Sequence, residues 1–457
     1  MTLDPQAYRP ASTLLTLGDG FFDPVAAADF PETRLRFRND RAAATVGLDA
    51  LDDADWVRRF GRFAPLPGTL PQPVALRYHG HQFRTYNPEL GDGRGFTFAQ
   101  LRDGAGMGAG RLMDLGTKGS GTTPWSRSGD GRLTLKGAVR EVLATEMLEA
   151  LGVGTSRSFS VIETGEALDR GDEPSPTRSA VLVRLSHGHI RIGSFQRLAY
   201  ERDEARLRTL TDYVLQELHG ERPGSEPAVQ LLANVVARTA RLAAGYMAAG
   251  FVHGVLNTDN INVTGESFDY GPWRFAPSWD PAFTAAYFDR TGLYAFGRQP
   301  EAIHWNAMQL AVALRPICEA EPLIAALDGF APAYQAAIGA AMAWRLGLTP
   351  RGEEDRSLVQ AIECGLRASG AGLDRFFFDA FGGALPAGYG GEWDELRAAL
   401  APYRPRKGRD HPYWSGEPCS MLIDEVEAIW APIAQDDDWG PFHAKVAQVR
   451  AMGAALE

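Results

Sequence analysis

Only three cysteines occur in the 457 residues, Cys318, Cys364 and Cys419, and no two fall in a CxxC or other metal-ligand spacing. This excludes a disulfide framework and a cysteine-built zinc site, and it suits a reducing cytoplasm. No long apolar run is uninterrupted: the most hydrophobic stretch, 235–252, carries Arg238 and Arg241 at helical spacing, which rules out a clean membrane span. The first residues, MTLDPQAYRP, lack a basic start followed by an apolar segment, so no secretory signal is expected. Excess positive charge is missing too. The 46 Lys and Arg face 57 Asp and Glu, a net charge of −11, whereas a nucleic-acid surface needs clustered cations. An acidic chain can still hold a local basic pocket. What remains, at 45% hydrophobic content, is a globular chain long enough for two or three domains or one large bilobal unit.

One further absence concerns chemistry. Residues 253–260 read HGVLNTDN, and Asp269-Tyr270-Gly271 begins nine positions after Asn260. In the protein-kinase pattern HRDxxxxN, the aspartate accepts the substrate hydroxyl proton and the asparagine holds a metal ion. Here His253 and Asn260 keep the spacing, but Val255 occupies the base position. Asn260 and Asp269 still offer the hard oxygen ligands that a phosphate-bound Mg²⁺ requires. Asp259, in the same loop, is the candidate for a displaced base; the alternative is a loop aspartate that caps a backbone N–H.

The pattern around this loop predicts an α+β chain. Residues 1–77 read as an N-terminal extension, with a short helix near 41–46. Glycine is dense from Tyr78 to Arg132, which predicts strands joined by tight turns. A helix is expected over 135–151, ended by Gly152. Strands are expected over 158–163, 180–185 and, just after the loop, 261–263. Helices should cover 207–218 and 228–249, and residues 321–457 read as a helical extension without an internal repeat. Strands, one helix and a hairpin in 78–198, then helices in 199–320, is the order of a bilobal protein-kinase-like fold with a small β-rich N-lobe and a helical C-lobe.

Lys118 falls on an expected strand and Glu141 on the expected helix, the types needed for a phosphate-gripping ammonium and the carboxylate that orients it. Glu146 is the rival partner. Arg184, near the end of the second hairpin strand, and Arg191 would put guanidinium groups where a kinase receives adenine, a chemistry suited to phosphate. The glycine turns 91–94 and 129–132 each place an arginine after a permissive backbone. GAGMGAG at 104–110 imitates a nucleotide loop without the helix that should follow it, and reads as a strand connection. The His79-Gly80-His81 and His187-Gly188-His189 pairs lack a third ligand at useful spacing, which favours packing or hydrogen bonding.

Taken together, HGHQF at 79–83, LGDGRG at 90–95, KGSGTTPWSRSGDGR at 118–132, VRLSHGHIRIG around Arg184 and Arg191, HGVLNTDN and DYGP at 269–272 resemble the selenoprotein O, or YdiU, family over about Leu35 to Leu310. The resemblance implies a kinase-like fold that binds ATP turned around. Such a protein transfers AMP to Ser, Thr or Tyr hydroxyls of proteins, its own chain included, and releases pyrophosphate, with UTP a second donor. It implies phosphate contacts from Lys118, Arg184 and Arg191, with Gly91, Gly93, Arg94, Asp130 and Gly131 also at the nucleotide. It further implies that Glu141 holds Lys118, that Asp259 is the proton acceptor, and that Asn260 and Asp269 bind Mg²⁺ or Mn²⁺. A γ-phosphate kinase and a nucleotide-binding pseudokinase scaffold are the competing readings. The family's asparagine-rich C-terminal stretch has no clear counterpart, and DPAFTAAYFD at 280–289 lacks the cysteine many members carry. A short, divergent branch without the regulatory disulfide is therefore expected.

Overall fold

The computed structural model describes residues 6–104, 110–171 and 173–457; most of the GAGMGAG turn lies outside them. Among the described residues the chain is α+β, with one nine-stranded antiparallel sheet and a larger helical part. The sheet runs Phe22–Pro24, Val74–Leu76, Thr97–Arg102, Leu112–Lys118, Thr177–Ser186, Arg157–Leu168, Arg34–Arg38, with Pro10–Ala11 and Leu133–Thr134 added beside it. Strands from the first 77 residues thus hydrogen-bond to strands that follow the glycine-rich region.

The hairpin strands extend beyond 158–163 and 180–185 in both directions, because Arg178 and Thr177 still find partners at Ala167 and Leu168 across a register shift. Leu135–Ala150 is helical as expected. The Thr134 side chain accepts from the Gly137 N–H at its start, an N-cap that satisfies one orphan donor, and Gly152 just past its end has φ +75°, a left-handed turn that glycine adopts without strain.

Glu204–Tyr213 continues into a wider turn at Val214–Leu218. The long helix Pro227–Ala249 buries Leu231, Leu232, Val235 and Ala240 completely and stops at Gly250, φ +69°. The expected strand 261–263 is instead a single bridge, Asn262 with Arg191, too short a run of pairing to propagate. The C-terminal helices reach back to the sheet side. Arg450 donates from Nε and Nη2 to both carboxylate oxygens of Glu146, at 2.8 and 2.6 Å. Glu146 is therefore engaged away from Lys118, which removes it as the rival partner.

Among the described residues, no helix is long and apolar enough to cross a membrane.

Candidate active site

Strand register sets the site. Arg184 lies opposite Gly116, and Lys118 lies opposite Leu182. Side chains alternate faces with period two, so Lys118, two residues past Gly116, shares Arg184's face as its diagonal neighbour. The helix Leu135–Ala150 delivers Glu141 to that face, where its two oxygens divide: Oε2 accepts from Lys118 Nζ at 2.7 Å and Oε1 from Arg184 Nη1 at 3.3 Å. Asp269 Oδ1 completes the cluster at 3.0 Å from Lys118 and 3.4 Å from Arg184. Burial opposes ionisation of Asp269, but Lys118, Arg184, Arg94 and Arg191 together hold its carboxyl well below the usual range. Its φ of +64° is rare for a non-glycine residue and turns the carboxylate out of the run of the chain.

Arg191 is locked from three sides. Its guanidinium donates to the Asp259 carbonyl at 3.0 Å and to Asp92 Oδ1 at 3.3 Å, and it lies over the rings of Tyr78 and Phe268, 4.2 and 4.9 Å from their centroids. The loop 253–260 is held by a hairpin, Gly80–Gln82 with Thr85–Asn87. The His81 N–H donates to Thr258 Oγ1 at 2.7 Å, and the Phe83 N–H to Asn257 Oδ1 at 3.0 Å. A Cβ at Gly80 would stand 3.2 Å from Asp259 Oδ1, so the glycine lets the hairpin approach this close. His79 pairs with Tyr86, and His81 with Gln196. His187 bonds the carbonyls of Leu112 and Leu218. His79, His81 and His187 thus serve packing and hydrogen bonding, and no cluster of three or more His, Cys, Asp or Glu suited to a metal occurs among the described residues.

These groups enclose a cavity of about 590 Å³. Gly91, Gly93, Arg94, Lys118, Asp130, Gly131, Arg184, Arg191, Asp259 and Asp269 all line it. Glu141 and Asn260 do not. Glu141 is 1% exposed and acts from behind Lys118. Asn260 sits beside Asp259 with its amide nitrogen bonded to the Val255 carbonyl at 3.0 Å, which leaves Oδ1 outside that bond.

Seven cationic side chains line the cavity, Arg94, Lys118, Arg127, Arg132, Arg170, Arg184 and Arg191, against four carboxylates, Asp92, Asp130, Asp259 and Asp269. In a chain of net charge −11, such a local gathering of cations is suited to an anion, although Arg132 is already paired with Glu166 at 2.8 Å. Four lining residues also keep a buried polar atom without a partner: Arg184 Nε, Arg191 Nε, His189 Nε2 and Asp259 Oδ1. Buried polar atoms are normally satisfied, and these four are open to a polar partner in the cavity. Burial raises the Asp259 carboxyl to about 6, against the pull of Arg191.

Sequence reasoning passed over several members. Asp92 lies between the two assigned glycines and tethers Arg191. Trp125 packs against Gly91, where any Cβ would overlap its ring. Arg170 is paired with Asp130 at 2.8 Å, although 40 residues separate them. Arg127 and His189 sat inside motifs already quoted; Arg170 carried no local signal.

A family model described as protein adenylyltransferase SelO matches residues 6–382. A protein of Gloeobacter violaceus, named protein nucleotidyltransferase YdiU, is 45% identical over 97% of this chain and 95% of its own length. Proteins of the same name from Synechocystis and Trichormus variabilis are 40% and 41% identical, over 97% and 98% of this chain and 98% and 96% of their own lengths. The similarity therefore runs well past Leu310, and against these relatives the chain is not a short branch. With its motifs gathered around one cationic cleft and the match covering most of its length, the chain belongs to the SelO family.

Proposed function

We propose that the protein is a metal-dependent nucleotidyltransferase that moves AMP from ATP to Ser, Thr or Tyr hydroxyls of proteins and releases pyrophosphate. The observation that carries this reading is Asp259: a carboxylate in a cationic cavity, with an unpartnered buried oxygen and a pKa raised to about 6, in a loop whose usual base position is Val255. A general base works best when its pKa lies near the working pH.

In this reading Asp259 Oδ1 takes the proton of the acceptor hydroxyl. The hydroxyl oxygen bonds to the α-phosphorus, the bond from that phosphorus to the bridging oxygen breaks, and pyrophosphate leaves. Arg184 and Arg191, where a kinase would receive adenine, hold the triphosphate with Lys118, and Glu141 fixes both Lys118 and Arg184. Gly91, Gly93, Arg94, Asp130 and Gly131 form the rim around the nucleotide. Asn260 Oδ1 and the ionised Asp269 carboxylate would hold Mg²⁺ or Mn²⁺, a donor set of hard oxygens suited to either ion. The metal would neutralise phosphate charge.

The reading carries with it a bilobal, protein-kinase-like architecture, with an extension over 1–77, lobes over 78–198 and 199–320, and a helical extension over 321–457. The lysine–glutamate pair between strand and helix supports it. Three cysteines free of disulfides support a cytoplasmic setting.

The test is incubation with Mg²⁺ or Mn²⁺ and ATP labelled at the α or the γ position, with the chain itself and added proteins as acceptors. Covalent label from α-labelled ATP alone is expected. Label from γ-labelled ATP alone would mean a kinase, and binding without transfer a pseudokinase; either would overturn the proposal.

A further inference from the structure

A second cavity, of about 610 Å³, is lined by a different set of residues. His187 and Glu266 line it, on the same two segments that carry Arg184, Arg191 and Asp269, and the His187 N–H donates to Glu266 Oε2 at 2.8 Å. Its charged lining is Arg102, Arg111, Arg238 and Arg241 against Glu217 and Glu266. Arg102 is committed to Glu217 at 2.6 Å, and Arg111 to Asp103 at 2.8 Å.

Arg238 and Arg241 are different. They sit three residues apart on the helix Pro227–Ala249 and so share a face, and among the described residues neither side chain forms a hydrogen bond or an ion pair. Glu221 attracts Arg238, but its Oε2 already accepts from Gln230 and Asn234 at 2.8 and 2.9 Å. Burial and the neighbouring charge of Arg241 both lower the pKa of Arg238. Two like charges in one concavity, neither in an ion pair among the described residues, are an electrostatic cost that a bound anion removes. Glycines widen the cavity: a Cβ at Gly154 or Gly220, both in its wall, would meet nothing within 4 Å. The volume falls in the range of small-molecule sites, with space for a phosphate and an organic group attached to it.

We propose that this cavity is a second anion site, which takes a phosphate-bearing small molecule on Arg238 and Arg241. Guanidinium forks suit phosphate because they present paired donors in a plane. The site is separate from the nucleotide cleft, since no residue lines both cavities.

Inorganic pyrophosphate titrated into the full chain by calorimetry, in metal-free buffer, tests it. The wild type should bind one equivalent more than the Arg238→Gln/Arg241→Gln double variant, and the affinity of the second anion site should fall by at least ~100-fold, the loss expected for two charge-assisted contacts. Arg241→Gln alone, at an exposed position, leaves the fold intact and should weaken the same event by about tenfold. An isotherm that is identical in wild type and both variants would overturn the proposal.

Discussion

Replacing Asp259 by Asn separates the two readings of that carboxylate. The side chain is 8% exposed, and one oxygen has no partner. Burial lifts its pKa from 3.8 to about 6. A carboxyl that holds its proton more tightly folded than unfolded destabilises the native state as pH rises from about 4 through about 6, and the loss is complete above that. A rise of this size corresponds to about 3 kcal/mol, since each pKa unit is worth about 1.4 kcal/mol. Asn has the same shape and no charge to desolvate. The variant should therefore match the wild type in urea unfolding at pH 3 to 4 and exceed it by up to about 3 kcal/mol at pH 8, with EDTA present so that no metal contributes. The same variant should transfer AMP about 100- to 10,000-fold more slowly, the range for loss of a general base, while ATP binding stays near wild type. A variant less stable than wild type at pH 8 would refute the reasoning, because it would mean that the carboxylate makes a stabilising cap. Undiminished transfer would remove Asp259 from the chemistry.

Asp269→Ala should abolish transfer, because it removes a proposed metal ligand and leaves Glu141 as the one carboxylate shared by Lys118 and Arg184; α-labelled ATP measures this, and wild-type activity would refute the assignment. Arg450→Met breaks a bidentate pair with a nearly buried glutamate. Breaking a fully buried pair costs about 3–5 kcal/mol, but Arg450 is 29% exposed and Asn39 and Arg41 remain near Glu146, so thermal unfolding should report about 1–2 kcal/mol. Gly91→Ala drives a Cβ into the Trp125 ring; overpacking of this kind costs about 1–3 kcal/mol, and equilibrium ATP binding should weaken with little change at the distant C-terminal helices. The transfer rate of the wild type should rise with pH and level off above about 6 as Asp259 loses its proton, a limb that Asp259→Asn should not show.

Local pattern was enough for much of this chain. The periodicity of 135–151 and its glycine stop describe a helix that is observed at Leu135–Ala150, and the spacing of His253, Asn260 and Asp269 singled out two segments that do meet, with His253 Nε2 3.1 Å from the Phe268 carbonyl. Short-range signals of this kind survive because caps, glycine turns and apolar period act within a few residues. The candidate strand at 261–263 failed for the complementary reason: strand formation needs a partner in register, and only Asn262 finds one. The choice between Glu141 and Glu146 was equally beyond the sequence. Both lie on one helix five residues apart, and only the packed sheet on one side and Arg450 on the other decide which carboxylate meets Lys118. The pairing of Arg170 with Asp130, the lock of Asp92 on Arg191 and the unpaired Arg238 and Arg241 likewise arise from segments that meet only in the folded chain. Thus the sequence alone marked the main helices and the types of group available for phosphate chemistry. The tertiary structure decided which charges are paired, which are left open and which carboxylate is desolvated, because burial and distance depend on the whole packed chain.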